Sequence, residues 1–159
     1  MIDPQEMAAV PFLRDLGGRH AEDLAGLARL EERPAGTIIF RQHQDWPYIY
    51  FVLAGEVGLE LAVSGQEIVD IHRVGPGELL GWSPVLGRRA MTATARAATP
   101  VRLAVVDADQ VVQLCERNPQ FGTAFHRELA VVVATRLRDA RRRLSQHLTR
   151  RPIPPEGSD

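Results

Sequence analysis

The residues of this chain whose types could do chemistry are five histidines, one cysteine and a glycine-led stretch around Gly81-Trp82-Ser83. The histidines are His20, His43, His72, His126 and His147, and no two lie within five residues of each other. A metal centre assembled on strands needs imidazoles that converge at short alternating spacing, with a carboxylate nearby. That spacing is absent, so no metal ligand is assigned. Cys115 stands alone. It has no partner for an internal disulfide and no metal-site pattern around it, which fits a reducing compartment and a small apolar residue on a helix. Gly75-Pro76-Gly77 is too short for a phosphate-cradling loop and lacks the following Lys, so it reads as a turn. No Ser–His–Asp arrangement is legible. The sequence therefore points away from an enzyme.

The stretch Leu79-Leu80-Gly81-Trp82-Ser83 is followed by Arg88, Arg89, Met91 and Thr92, and a family resemblance, rather than the spacing itself, is what implies a ligand pocket over these residues. Backbone N–H groups at the start of a short helix receive anions, and an arginine pairs with phosphate oxygens in a charge-assisted fork. Whether these residues do so depends on the elements that carry them.

Residues 4–28 read as short helices, with Phe12, Leu13 and Leu16 in one apolar cluster and Leu24, Leu27 and Ala28 in a second, separated by Gly17-Gly18. From Leu30 to Val106 short apolar runs are punctuated by Gly, Pro and Asp, the pattern of antiparallel strands. The runs are 37–40, 48–53, 57–63, 67–74, 79–82, 91–97 and 101–106. Asp107 with Gln110 resembles a capping box, and Asn118-Pro119 supplies a cap and a first-position proline for a second helix. That helix continues to about His147, roughly 40 Å. The expected organisation is a helical segment over 1–29, a β unit over 30–106, helices over 107–150 and a disordered tail over 151–159.

The 159 residues, 45% apolar and 25% charged, suit one globular domain with a core of its own. Net charge is −1 and all 19 basic residues are Arg. No run approaches a membrane span and no targeting segment opens the chain, so a soluble cytoplasmic protein is expected. On the last helix Ala130, Val133, Leu137, Ala140, Leu144 and His147 recur at three- and four-residue steps, a weak coiled-coil seam. This predicts a homodimer through that helix, with Arg136, Arg141, Arg143 and Arg150 flanking it and Arg136 facing the partner's Arg141. Alternatively, the Arg-rich end docks an acidic surface on another protein.

The order of helices, seven or eight strands and a helix pair resembles the cyclic-nucleotide-binding domain of catabolite-activator-like regulators, kinase regulatory subunits and gated channels. The resemblance runs from about Phe12 to Leu144. Pro34-Ala35-Gly36-Thr37-Ile38-Ile39-Phe40-Arg41 looks like the family's second strand. Tyr50-Phe51-Val52-Leu53-Ala54-Gly55-Glu56-Val57 looks like its strand–Gly–strand hairpin, and Gly75-Pro76-Gly77-Glu78-Leu79-Leu80-Gly81 like the approach to its phosphate-binding cassette. Met91-Thr92-Ala93-Thr94-Ala95 looks like the strand that leaves the cassette. His43 departs from the pattern, standing where the family has a turn glycine.

The resemblance implies a mainly β fold with flanking helices, a double-stranded β-helix of the jelly-roll, cupin-like kind. It also implies a glutamate directly after the cassette glycine, for the ribose, and an arginine nine positions further on, for the phosphate. Here those positions hold Trp82 and Met91. Losing the partner of a buried phosphate costs roughly 2–5 kcal/mol, and Trp82 fills the ribose region. Gly81-Trp82-Ser83 resembles a bacterial branch with Gly-Trp-Ser at this place, folded but degenerate for cyclic nucleotides. The expectation is a non-catalytic regulatory or interaction module with no cofactor and no usual cyclic-nucleotide binding. The alternative is a small-molecule or cyclic-nucleotide sensor anchored by Ser83, backbone amides and Arg88 or Arg89; a cupin-like enzyme is the remote third. No DNA-reading helix pair follows the long helix, so sequence-specific DNA binding is not expected.

Overall fold

The computed structural model describes residues 2–88 and 90–150. Three short helices lead, α1 (Pro4–Ala8), α2 (Pro11–Leu16) and α3 (Gly18–Ala25). The Asp3 side chain accepts from the Gln5 amide at 2.9 Å and opens α1. Pro11 sits at the start of α2, where its missing N–H costs nothing. Gly17 and Gly18, at φ of 77° and 39°, make the sharp junction between α2 and α3.

Eight strands follow: β1 (Arg29–Arg33), β2 (Ile38–Phe40), β3 (Tyr48–Ala54), β4 (Val57–Ser64), β5 (Glu67–Val74), β6 (Leu79–Leu80), β7 (Thr94–Ala97) and β8 (Val101–Asp107). They form two four-stranded sheets, ordered β1-β8-β3-β6 and β2-β7-β4-β5, and every pairing within them is antiparallel. The chain closes with α4 (Ala108–Arg117) and α5 (Pro119–Arg150). This is the mainly β jelly-roll with helices before and after it.

Strand β3 shows why there are two cores. Its residues Tyr48-Ile49-Tyr50-Phe51-Val52 are apolar without alternation, as a strand covered on both faces requires. Ile49 and Phe51 point into a cluster shared with α2, α4 and α5, among them Phe12, Val111, Phe121 and Phe125. Tyr50 and Val52 point into a second cluster between the sheets, with Val57, Leu59, Leu80, Met91 and Leu103. The Tyr50 hydroxyl accepts from Trp46 Nε1 at 2.9 Å, and burial pushes its pKa up to about 12. At the β3–β4 hairpin Gly55 has φ +85°, and a Cβ there would run into the Pro100 carbonyl.

Several local expectations meet the structure closely. The Asn118 side chain accepts from the Phe121 amide at 3.2 Å and starts α5; the Asp107 side chain caps α4 by accepting from the Asp109 amide at 2.9 Å, in place of the Gln110 amide that a capping box engages. Two strands are shorter than expected. The run 79–82 stops at Leu80, because Gly81 turns to φ +81°. The run 91–97 becomes regular only at Thr94, because the Met91 backbone is engaged with the 43–44 turn. Helix α5 extends to Arg150, beyond His147. The tail 151–159 lies outside the described residues. No helix among them is long and apolar enough to cross a membrane.

Candidate ligand cassette

The cassette begins where β6 ends. Gly81 bends the chain away from the sheet, and a side chain there would press on the Tyr48 carbonyl at 3.2 Å and on the Phe40 ring. Trp82 follows, half-buried against the helix-side core. A 3₁₀ turn over Ser83–Leu86 then ends on Gly87 in the left-handed conformation. The Arg88 amide donates to the Ser83 carbonyl at 3.0 Å and closes the loop, while the Arg88 side chain is exposed. Arg89 lies outside the described residues.

The return segment that leads into β7 starts at Met91. Its amide donates to the Gln44 carbonyl at 2.9 Å, and its own carbonyl accepts from the His43 amide at 2.7 Å. His43 makes this turn at φ 70°, the one described non-glycine residue with positive φ. The family's turn glycine at this place therefore has a physical meaning, and a histidine occupies it at the expense of some backbone strain. The Met91 side chain is 2% exposed and packs in the inter-sheet core with Phe40, Leu59 and Ala93. Thr92 is exposed at the rim.

Above these residues runs α5, and here the structure departs from the sequence expectation. Arg136, expected beside a dimer seam opposite the partner's Arg141, is 7% exposed and points inward. Its Nη2 donates to the Leu79 carbonyl at 2.8 Å. The guanidinium lies over the Trp82 ring, 4.9 Å from the centroid. Ala140 and Leu144, also expected at the seam, pack against the inter-sheet core, and Val133 against the helix-side core. Of the seam residues, Ala130 and Leu137 are exposed, as is Arg141, while Arg143 is exposed in the groove between α5 and β5. The physical reason is a competing stripe: Phe125, Leu129, Val132, Arg136 and Ala140 recur at three- and four-residue steps and face the chain's own roll. A long arginine on a helix suits a polar rim, yet its planar head can bury against an aromatic face.

The result is a nearly filled cassette. Gly81, Trp82, Ser83, Met91, Thr92 and Arg136 line, with their neighbours, a residual cavity of about 30 Å³. Burial lowers the Arg136 pKa to about 10, against the opposing pull of Glu78 and Asp139, so it remains a cation at neutral pH. Among the described residues no carboxylate oxygen lies within ion-pair distance of it, and its Nη1 has no hydrogen-bond partner.

Beyond Arg136 the helix is held to β5 by polar groups. His72 Nδ1 lies 3.4 Å from Asp139 Oδ2, with Glu78 Oε1 3.8 Å from the other ring nitrogen. His147 Nε2 and Glu67 Oε1 are 2.7 Å apart. The His72 contact, followed by the Gly75 amide, holds the Glu78 carboxyl below its ordinary value against the effect of burial. Sequence reading missed His72, Glu78 and Asp139 as one group, because they meet only when α5 folds back over β5. No group of three or more metal-ligating side chains is gathered among the described residues.

Two four-stranded antiparallel sheets, leading helices, a glycine-turned cassette and a helix pair laid back over it define the β-roll of cyclic-nucleotide sensors. The family model for the cyclic nucleotide-binding domain matches residues 30–118, and the chain belongs to that family. It is 28% identical over 123 residues to a cyclic nucleotide-gated potassium channel of Mesorhizobium japonicum, a match covering 77% of this chain and 33% of the channel. The chain thus spans about a third of that relative. Among solved structures it resembles a cyclic nucleotide-binding domain from Methylobacillus flagellatus, with TM-score 0.78, 18% identity, and 97% and 86% of the two chains covered. It also resembles the catabolite activator protein of Thermus thermophilus, with TM-score 0.70, 26% identity, and 86% and 62% covered.

Proposed function

We propose that this chain is a non-catalytic, cytoplasmic regulatory module that does not take a cyclic nucleotide by a glutamate–arginine pair and acts through protein–protein association. One observation carries the reading. The cassette retains about 30 Å³, whereas sites for small molecules run to roughly 300 Å³ or more. Trp82 and the Arg136 guanidinium fill the rest. The position after Gly81 offers an indole where a ribose acceptor is needed, and Met91 offers a buried thioether where a phosphate needs a cation. The outward face of α5 is the surface left for a partner. Arg138 and Arg141 lie on it exposed, with Leu137 beside them at 58% exposure, whereas Arg142 and Arg143 line the groove between α5 and β5. That face fits a second copy over the apolar turns or an acidic protein surface over the basic ones.

Calorimetric titration with cAMP and cGMP tests this reading. No heat at millimolar ligand is expected. Micromolar binding that disappears in Arg89→Ala would establish the second reading, a nucleotide sensor anchored by the cassette loop. What favours that alternative is the placement of Ser83 at the start of the 3₁₀ turn, with Arg88 exposed at its end.

A further inference from the structure

The groups that surround Arg136 are the wrong ones for an anion. Its Nη2 reaches a backbone carbonyl, that of Leu79. Its planar head faces the π-cloud of Trp82. The charged groups that act on it most are the carboxylates Glu78 and Asp139. A carbonyl dipole, an indole face and two carboxylates within electrostatic reach together make a negative environment. Phe40, Leu59 and Met91 wall the neighbouring space and keep it apolar. A fold that in its family receives a phosphate here holds a flat cation.

From this we infer that the cassette has become a site for planar, hydrogen-bond-donating cations of the guanidinium class, occupied in the resting chain by Arg136 of its own α5. The inference rests on the closed-cassette reading above and gives that site a ligand class. The self-supplied occupant has a cost. A buried cation with no carboxylate in ion-pair contact and one unpartnered nitrogen is poorly compensated. The stretch of α5 around it therefore docks weakly, and an external planar cation takes the place of the guanidinium once the Arg136 side chain is removed. Size and shape discriminate at the site. A flat guanidinium stacks on Trp82 and donates to Leu79 together, whereas a round ammonium meets only one of these demands at a time.

Side-chain rescue tests this. Backbone hydrogen exchange over 137–148 is measured in the wild-type chain, Arg136→Ala, Arg136→Gln and Arg136→Lys, each confirmed folded by circular dichroism. Both neutral variants are expected to exchange at least fivefold faster over this stretch, with residues 121–129 unchanged. Ethylguanidinium at 10 mM is expected to restore at least half of the lost protection in Arg136→Ala and to leave the wild-type chain unaltered. Ethylammonium at the same concentration should restore none, and Arg136→Lys should behave as a partial loss. Arg136→Gln carries the exchange comparison should the alanine variant fail to fold. The proposal is overturned if ethylguanidinium and ethylammonium act alike, if Lys substitutes fully, or if exchange over 137–148 does not change. Phosphate or cAMP restoring protection instead would overturn the closed-cassette reading itself, which keeps the two failures apart.

Discussion

The two halves of α5 are one continuous helix held by opposite kinds of force. In the first half Phe121, Phe125 and Leu129 are essentially without exposure. Phe125 meets Phe12 edge-on at 5.4 Å and stacks with Phe121 at 5.7 Å. In the second half the groups that touch the roll are the Arg136 guanidinium, Asp139 opposite His72 and His147 opposite Glu67. Among the described residues Ala140 and Leu144 add apolar contact, both half-buried. Burying a large side chain is worth roughly 1.5–3 kcal/mol, whereas partly exposed ion pairs contribute about 0–1 kcal/mol. The first half is thus part of the domain, and the second half is a cap laid on it. Detaching the second half from the roll should therefore cost less than detaching the first.

The most severe way to break this contrast is at Phe125. Truncation to Ala empties the centre of the helix-side core, and a loss of about 3–5 kcal/mol is expected in a denaturant melt. A loss below about 1 kcal/mol would show that the first half is no better anchored than the second. The next effect comes from the roll beneath the cap. Tyr50 is neutral when folded because it is buried, with its pKa raised from 10.0 to about 12. In the unfolded chain it ionises from about pH 10. Its contribution is therefore complete below pH 10 and is lost as the pH rises toward 12, up to roughly 2–3 kcal/mol. Unfolding midpoints at pH 9 and pH 11 read this slope. Tyr50→Phe should flatten it, and an unchanged slope would mean that another group governs alkaline stability.

These two regions were unequally legible. Phe121, Phe125 and the Asn118-Pro119 start announce a helix with an apolar face, because helical spacing and capping are local properties. The alternation in β4 and the glycine turn at Gly55 are equally plain, since each needs only its neighbours to be read, whereas the turn at Gly81 is hidden inside the apolar run 79–82. The cassette segment is legible only through the family resemblance of the approach from Gly75 to Gly81. Arg136 was not found, because two stripes of comparable apolar content run along the helix after Leu129. One passes through Ala130 and Leu137, the other through Leu129 and Val132. Which one turns inward is decided by Trp82 and the Leu79 carbonyl, more than fifty residues away in sequence. The pairs His72–Asp139 and His147–Glu67 have the same character, with partners that only the tertiary fold brings together.

Leu137 sharpens the contrast at its weakest point. It is a leucine eight residues beyond Leu129 on the same helix, yet it is 58% exposed where Leu129 is 2%. Leu129→Ala should cost about 2–5 kcal/mol, and Leu137→Ala no more than about 0.5 kcal/mol, when both are melted at low protein concentration. If the outward face of α5 pairs with a second copy, Leu137 is its largest apolar side chain between the arginines. Light scattering at high concentration should then show Leu137→Ala shifted toward monomer while its dilute melting curve stays unchanged. An unaltered mass at every concentration, in the variant as in the parent, would show that Leu137 does not pair this face with a second copy. A large loss in the dilute melt would mean instead that Leu137 turns inward for part of the time, and that the cap rolls between its two stripes.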